Sequence, residues 1–179
     1  PYDFSKQIKA VRGRMPAIEL VNERFSRNAR TSLFNLIRKT IDISPEGVKT
    51  LTYGDFIRNL KVPSSFNIVN LAPLRGQGVL VLDPNLVFII VDSYFGGDGR
   101  FHTRIEGRDF TVVEQTVIKK VVQVLLSELV ESWKPAHPVE FKLIRSEMNP
   151  QFVNIIGQNE IVVVSSFRMD VEALSERFH

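Results

Sequence analysis

The sequence contains no cysteine and only three histidines among its 179 residues. Without cysteine there can be no disulfide framework, thiol nucleophile, iron–sulfur cluster or cysteine-based zinc finger. Long hydrophobic runs are also missing: the longest purely apolar stretch is residues 86–91, whereas a membrane-spanning helix needs about 20 residues. With 44% hydrophobic and 24% charged residues, the chain has the composition of an ordinary folded domain.

The net charge of +3 is unevenly distributed, because residues 1–60 carry 11 basic and 6 acidic side chains. A nucleic-acid-binding surface would need a denser basic stripe with stacking aromatic residues among it. We therefore expect a solvated helix face and a basic leading segment, and no nucleic-acid partner. Because the sequence begins with Pro1 rather than Met, we also expect it to be a fragment of a longer protein.

The hydrophobic periodicity predicts helices and strands in alternation. Apolar residues recur at helical spacing after Pro16, a residue that suits the first turn of a helix, so residues 1–15 are expected to form an irregular N-terminal arm. The first half is then predicted to contain a long helix from 16 to about 44, a strand at 48–53, a helical turn at 55–60, strands at 65–72 and 78–82, and a helix at 84–95, for which a strand is the alternative.

The best-defined element of the second half begins at Thr111. Thr111 and Glu114 have the spacing of a capping box, in which each side chain binds a backbone N–H at the start of a helix. The predicted helix continues to Trp133 and is stopped by the prolines that follow. Beyond it we expect strands at 139–146 and 159–168, a short helical connection near 150–156 and a helical tail from about 170.

A weak internal repeat relates the two halves. Pro63-x-x-Phe66 and Pro138-x-x-Phe141 share spacing and polarity, and each follows a long helix. The pattern predicts a single layered α/β domain over residues 16–170, with pseudo-two-fold halves at about 16–95 and 105–170 and a tail at 171–179. Its long helices would pack on a central mixed or antiparallel sheet. Chance similarity of two short segments is the alternative.

The most unusual feature is the glycine cluster Gly96-Gly97-Asp98-Gly99. It is no phosphate loop, since neither Gly-Lys-Ser/Thr nor G-x-G-x-x-G is present. It also lacks the acidic residue that follows Gly-Gly-Asp in diguanylate cyclases, since Arg100 stands there. Two interpretations stay open. One is a surface turn that ends a helix; the other is a docking loop, flanked by Tyr94, Phe95, Arg100, Phe101 and His102.

The sequence offers little that points to catalysis. Asp92, Asp98 and His102 are too loosely spaced to make a convincing metal site, and no serine lies in a G-x-S-x-G elbow. The capping box explains Glu114 without a role as a general base. We therefore expect no cofactor, no metal and no enzymatic activity.

Several motifs in order resemble the middle domain of the flagellar motor switch protein FliM. They run from about Pro1 to Val171 and include the following segments: Pro1-Tyr2-Asp3-Phe4, Met15-Pro16, Glu23-Arg24-Phe25-Ser26-Arg27, Tyr53-Gly54-Asp55-Phe56, Tyr94-Phe95-Gly96-Gly97-Asp98-Gly99, Phe110-Thr111-x-x-Glu114 and Trp133. That family is related in fold to the chemotaxis phosphatases CheC and CheX, so the resemblance implies a pseudo-symmetric α/β fold.

The resemblance also bears on the alternative function, a CheC-like phosphatase acting on a phosphorylated response regulator. Those phosphatases carry Glu-x-x-Asn on each active helix. At the matching positions this chain has Leu20 and Glu23 on the first helix, and Glu114 and Val117 on the second. Glu19 and Asn22 do form Glu-x-x-Asn, but one residue out of register, which turns a side chain by about 100° around the helix. Both phosphatase sites are thus expected to be vestigial.

The resemblance implies a non-catalytic scaffold of the cytoplasmic rotor ring, peripheral to the inner membrane at the flagellar basal body. In this interpretation, the loop around Gly96–Gly99, with Tyr94, Phe95 and Arg100, docks the middle domain of FliG. Neighbouring FliM copies pack side by side, phosphorylated CheY favours reversal of rotation, and FliN is contacted through a C-terminal domain beyond this chain. The family often has proline where Asp98 stands.

Overall fold

The computed structural model describes residues 4–98, 108–172 and 174–179. Helices and strands alternate along this part of the chain, as the periodicity predicts. In chain order the elements are α1 (Phe4–Ile37), β1 (Ile41–Thr52), α2 (Tyr53–Arg58), β2 (Ser65–Ala72), β3 (Gln77–Leu82), α3 (Pro84–Tyr94), α4 (Val112–Trp133), β4 (Glu140–Glu147), a short 3₁₀ helix (Pro150–Phe152), β5 (Ile161–Val171) and β6 (Leu174–Phe178).

The six strands form one sheet in the order β1-β5-β6-β3-β2-β4, and every neighbouring pair is antiparallel. Exchanging β1 with β4, β2 with β5 and β3 with β6 reverses this order and returns the same sheet. The pseudo-two-fold repeat is therefore confirmed, and the α/β fold class with it. Pro63 and Pro138, however, lead into β2 and β4, which this symmetry does not relate. For that motif, chance similarity is the correct explanation.

The sheet separates two apolar clusters. On one face α1, α3 and α4 pack against the strands, with Phe25, Leu86 and Leu125 fully buried. On the other face, α2 and the segment after the 3₁₀ helix cover a smaller cluster that includes Tyr53 and Val153. The Tyr53 hydroxyl donates to the Val153 carbonyl, and burial raises the pKa of this phenol.

The structure corrects the predicted start of α1. This helix begins at Phe4, so residues 4–15 are helical and Pro16 lies inside the helix. Proline in a helix interior removes one backbone hydrogen bond and crowds the preceding turn, at a cost of about 3 kcal/mol. The same fixed φ suits a first turn, and this is why the sequence favoured a start at 16.

The predicted end of α1 was also wrong. The helix stops at Ile37, and Ser44 to Gly47 lie inside β1. The register of β1 against β5 shifts between Pro45 and Gly47, where Gly47 has a φ of 118°. Because β1 is an edge strand, it can accommodate a proline and a bulge that a central strand could not.

The C-terminal segment differs from the sequence prediction as well. Instead of a helical tail, residues 174–178 form β6, paired with Phe167–Val171 of β5. Such a short segment carries no reliable periodicity, and the neighbouring β5 decides its conformation by supplying a hydrogen-bonding edge. Within the described ranges, no helix combines the length and apolar character needed to cross a lipid bilayer.

Candidate functional site

The C-terminal end of α3 presents the first part of the glycine cluster. The Gly96 N–H donates to the Ser93 carbonyl at 3.0 Å and the Gly97 N–H to the Asp92 carbonyl at 2.9 Å. These two bonds, with a φ of 89° at Gly96, form the Schellman motif that ends many helices. Gly96 thus ends α3 in the left-handed conformation, as predicted, and glycine is favoured at 96 for that reason. This geometry is compatible with both a plain surface turn and a docking loop.

Gly97 leaves room for the side chain of a neighbouring residue. A Cβ atom built on Gly97 would meet the carboxylate of Asp92 well inside 3.0 Å, closer than real Cβ contacts occur. Asp92 lies one turn earlier on α3, so its side chain folds back over the turn it helps to close. Since residue 97 has no side chain, the Asp92 carboxylate can occupy the space that a side chain there would fill.

Two aromatic residues flank this turn. Phe95 is 63% exposed, and its ring meets that of Tyr94 edge-on with centroids 5.3 Å apart. The Tyr94 hydroxyl accepts a hydrogen bond of 3.0 Å from Nζ of Lys120 on α4. Tyr94 is thus held by the neighbouring helix, while Phe95 projects a large apolar side chain from the surface.

The chain enters α4 through a second set of fixed contacts. The predicted capping box is present: Thr111 accepts from the Glu114 N–H at 3.2 Å, and Glu114 accepts from the Thr111 N–H at 2.7 Å. Arg108 binds the Glu114 carboxylate at 2.8 Å. The Phe110 ring packs edge-on against Phe88 of α3, with centroids 6.0 Å apart. The end of α3 and the start of α4 are therefore tied to each other.

The electrostatics at Glu114 agree with a structural role. Partial burial alone would raise the pKa of this carboxyl, but the hydrogen bonds from Arg108 and from the Thr111 N–H outweigh it, so the pKa is lowered. A general base or acid near neutral pH needs a raised pKa. Glu114 is instead held as an anion at neutral pH by its helix cap and its ion pair.

The described part of the predicted docking loop comprises Tyr94, Phe95, Gly96, Gly97 and Asp98. Gly99 and Arg100, with Phe101 and His102, lie outside the described residues. Asp98 is exposed. Lys120 and Arg108 were not identified from sequence. Lys120 belongs to the exposed face of α4 and carries no local motif, while Arg108 lies close to the capping box and could have been proposed as a partner of Glu114.

The four phosphatase-like positions do not form two equivalent pairs. Leu20 is 59% exposed and Glu23 is exposed, whereas Val117 is 3% exposed and belongs to the core. Glu114 is tied to Thr111 and Arg108. A residue that orients water for attack must reach solvent, and Val117 neither reaches it nor has a polar atom.

The out-of-register Glu19-x-x-Asn22 pair is also unsuited to water activation. Asn22 is 4% exposed, and its Nδ2 donates to Oγ of Ser165 on β5 at 2.9 Å. The side chain therefore joins α1 to the sheet. The sequence signal for this burial was the position of Asn22 beside Val21 and three residues before Phe25, on the apolar stripe of the helix.

The described residues give no support for a metal site. No group of three or more His, Asp or Glu side chains there could hold a metal ion. What the described part of the site provides is an exposed aromatic residue, Phe95, beside a turn whose backbone is fixed by hydrogen bonds to the end of α3.

Comparison with known proteins identifies the relatives of this domain. A family model described as the flagellar motor switch protein FliM matches residues 11–179. The chain is 44% identical over 180 aligned residues to FliM of Escherichia coli, covering 100% of this chain and 54% of that protein. It is 43% identical over 171 residues to FliM of Pseudomonas aeruginosa, covering 96% of this chain and 53% of that protein.

Solved structures agree with this relationship. The FliM middle domain from Vibrio alginolyticus superposes with a TM-score of 0.81 at 38% identity, covering 90% of each chain. A chain of the FliG–FliM complex from Helicobacter pylori superposes with a TM-score of 0.83 at 25% identity, covering 88% of this chain and 86% of that one. The fold defines a pseudo-symmetric α/β domain in which three helices pack on one face of a six-stranded antiparallel sheet.

The chain belongs to the FliM family of flagellar motor switch proteins, as the resemblance in its motifs predicted. It spans about half the length of the curated relatives it matches.

Proposed function

We propose that this domain is a non-catalytic scaffold of the flagellar motor switch ring and that it docks the rotor protein FliG through the turn at the end of α3. The observation that carries the proposal is the presentation of Phe95 beside the Schellman turn at Gly96 and Gly97. The docking surface comprises Tyr94, Phe95, Gly96, Gly97, Asp98, Gly99 and Arg100.

The geometry of this turn suits a partner surface. Lys120 holds Tyr94, and Arg108 and Phe110 hold the start of α4. The backbone on either side of residues 99–107 is thus fixed before a partner arrives, which lowers the ordering cost of binding. An exposed aromatic residue on such a support is the kind of anchor that dominates binding energy.

The relatives supply the partner class. The Helicobacter pylori structure is of a complex between FliG and FliM, and this chain shares the family and the fold of that FliM. In the same ring we propose that copies of this domain pack side by side, that FliN is contacted by sequence beyond this domain, and that phosphorylated CheY acts by population shift between two ring arrangements. The location is the cytoplasmic face of the flagellar basal body.

The absence of catalysis is part of the proposal. Val117 is in the core, Asn22 is engaged by Ser165, and Glu114 is an anion held by its ion pair. None of these side chains is available to orient water for attack on an aspartyl phosphate. The geometry therefore favours a binding role over the alternative of a CheC-like phosphatase.

The docking surface can be tested with two matched phenylalanines. Phe95 is 63% exposed on the α3 turn, and Phe152 is 54% exposed on the 3₁₀ helix. We expect Phe95→Ala to weaken binding of purified FliG about tenfold or more in calorimetric titration, while Phe152→Ala binds as the parent protein does. Equal affinity for the two variants would remove Phe95 from the interface.

The enzymatic alternative has its own test. Phosphorylated CheY is allowed to decay with and without this protein, and the half-life of the phosphoryl group is measured. We expect no acceleration. A clear acceleration that Asn22→Ala abolishes, in a variant that remains folded, would overturn the non-catalytic proposal.

A further inference from the structure

β6 lies between β5 and β3 but pairs with only part of each. It pairs with residues 167–171 of β5, and its last residue, Phe178, lies opposite Leu82 of β3. His179 extends this pairing by one step: its N–H donates to the Val81 carbonyl at 3.0 Å, and its carbonyl accepts from the Val81 N–H at 2.7 Å.

Beyond this level, β5 and β3 run on without a strand between them. Residues 161–165 of β5 pair with β1 on their far side, and residues 77–80 of β3 pair with β2 on theirs. No described residue pairs with their facing sides. A cleft of about 470 Å³ lies there, and both strands contribute to its lining. Since β6 separates β5 from β3 by two strand spacings, the cleft is about 10 Å across at its closed end.

The pairing registers of β6 with β5 and with β3 both place a continuation of β6 in this cleft. Continuing the β5–β6 register past His179 places the next four residues opposite 165, 164, 163 and 162. Continuing the β3–β6 register places the same four residues opposite 80, 79, 78 and 77. An extension of β6 would thus satisfy both strand edges at once, without a bulge or a change of direction.

The pseudo-two-fold symmetry points to the same extension. β2, the counterpart of β5, is paired with β3 over Ser65–Asn70 and with β4 over Phe66–Ala72. β5 is paired on both sides only over residues 167–171. An extended β6 would give β5 the double pairing that β2 already has.

The walls of the cleft define the side chains that fit. Phe25 and Leu126 line it on the helix side of the sheet, and Tyr53 and Phe56 line it on the side covered by α2. A strand inserted here has both faces buried, so consecutive apolar residues are required rather than an alternation of apolar and polar ones.

We propose that the cleft receives an apolar segment of at least four residues that continues β6 after His179 in the full-length protein. The curated relatives are about twice as long as the matched region, so such proteins have further chain to supply. A covalently continuous strand also has a high effective concentration at the cleft, which a separate partner lacks. The chain then leaves the domain from the middle of its sheet, and any pull on the following segment acts on the core.

The test is a designed disulfide in the full-length protein. Val163→Cys is combined with cysteine at the third residue after His179, which the register places opposite it, at a Cα separation that a disulfide can span. The control places the second cysteine one residue earlier, where the side chain points to the other face of the sheet. Cysteines outside residues 1–179 are first replaced.

We expect an intramolecular crosslink in the designed pair and at least tenfold less in the control, by non-reducing gel and mass spectrometry. A crosslink only between two chains would assign the cleft to a strand from a second copy and overturn the proposal. Crosslinking in neither variant, together with fast deuterium exchange at the Val79 amide, which faces the cleft as that of Val81 does, would overturn it as well.

Discussion

The carboxylate of Asp92 occupies the position that a side chain on residue 97 would take. The Gly97 N–H also donates to the Asp92 carbonyl at 2.9 Å, so both the backbone and the side chain of Asp92 contact the turn. With glycine at 97, the Asp92 side chain has room to lie over the turn that ends α3. The effect of a substitution at residue 97 should therefore depend on the side chain at residue 92.

Gly97→Ala should lower the free energy of unfolding by no more than about 0.5 kcal/mol, because the atoms that crowd the new methyl group are the end of the flexible Asp92 side chain, which can rotate aside. In an Asp92→Ala background the same substitution should cost nothing or stabilise the protein, since no carboxylate has to move. Urea denaturation of the four proteins in this double-mutant cycle measures the difference. Equal costs in the two backgrounds would show that the carboxylate does not limit residue 97.

Gly96→Ala should destabilise the protein by about 1 kcal/mol for a different reason: no described atom lies within 4 Å of a Cβ built at Gly96, and the left-handed backbone at φ 89° resists a Cβ. Gly96→Asn should recover part of this loss, because asparagine adopts the left-handed region more readily. Gly78→Ala is the control, with ordinary contacts in a strand. A cost at Gly78 as large as that at Gly96 would contradict the backbone explanation.

The ion pair between Glu114 and Arg108 should make stability depend on acid pH. Because folding lowers the pKa of Glu114, the pair stabilises the protein above the unfolded-state pKa, about 4.3, and this contribution is lost as the pH falls through the lower folded-state value. Glu114→Gln keeps a side chain suited to the capping box but removes the charge.

We expect Glu114→Gln to be less stable than the parent by about 1 kcal/mol at pH 7, with the difference shrinking below pH 4. Thermal unfolding across pH 3–7 measures this. Glu131→Gln, which disrupts an exposed pair with Lys134, should change stability by less than about 0.5 kcal/mol. A pH-independent difference for Glu114→Gln would exclude the charge as its cause.

The contact between Asn22 and Ser165 should behave as a structural hydrogen bond between α1 and the sheet. Asn22→Ala is expected to cost about 1 kcal/mol, because it removes a hydrogen bond between a buried amide and a half-buried hydroxyl. Replacing both partners, as Asn22→Leu with Ser165→Ala, should cost less than Asn22→Ala alone. Chemical denaturation of Asn22→Ala, Asn22→Leu, Ser165→Ala and the double variant measures these costs. A double variant whose cost equals the sum of the costs of Asn22→Leu and Ser165→Ala would contradict the pairing.

The elements with strong local signals were predicted well. The strand at 65–72 matches β2, the helix at 84–95 was placed within one residue of α3, and the capping box at Thr111 and Glu114 is present. Each depends on neighbours within four residues, such as a cap or a proline at the first helical position. Interactions between such near neighbours can be predicted from the local sequence.

The errors share a different cause. The path of Pro45 and Gly47 through β1, and the conformation of residues 174–178, depend on β5 lying beside them. The exposed side of the α3 turn was predicted, but the contact of Tyr94 with Lys120, 26 residues away, was not. Pairing between distant segments leaves no local sequence pattern. The prediction for residues 44–47 and 174–178 therefore rested on local propensity alone and was wrong, and the contact between Tyr94 and Lys120 was not predicted.

The sequence by itself determined that the domain has no thiol chemistry, that its helices and strands alternate, and that a glycine turn follows α3, because composition, periodicity and backbone freedom are properties of residues and their near neighbours. Only the tertiary structure decided which strands the symmetry relates, that Asn22 bonds Ser165 of β5, and that a cleft lies between β5 and β3. Strand pairing and the cleft arise from contacts between segments that are distant in sequence. The free energy of such contacts depends on both segments together, so neither segment reveals it alone.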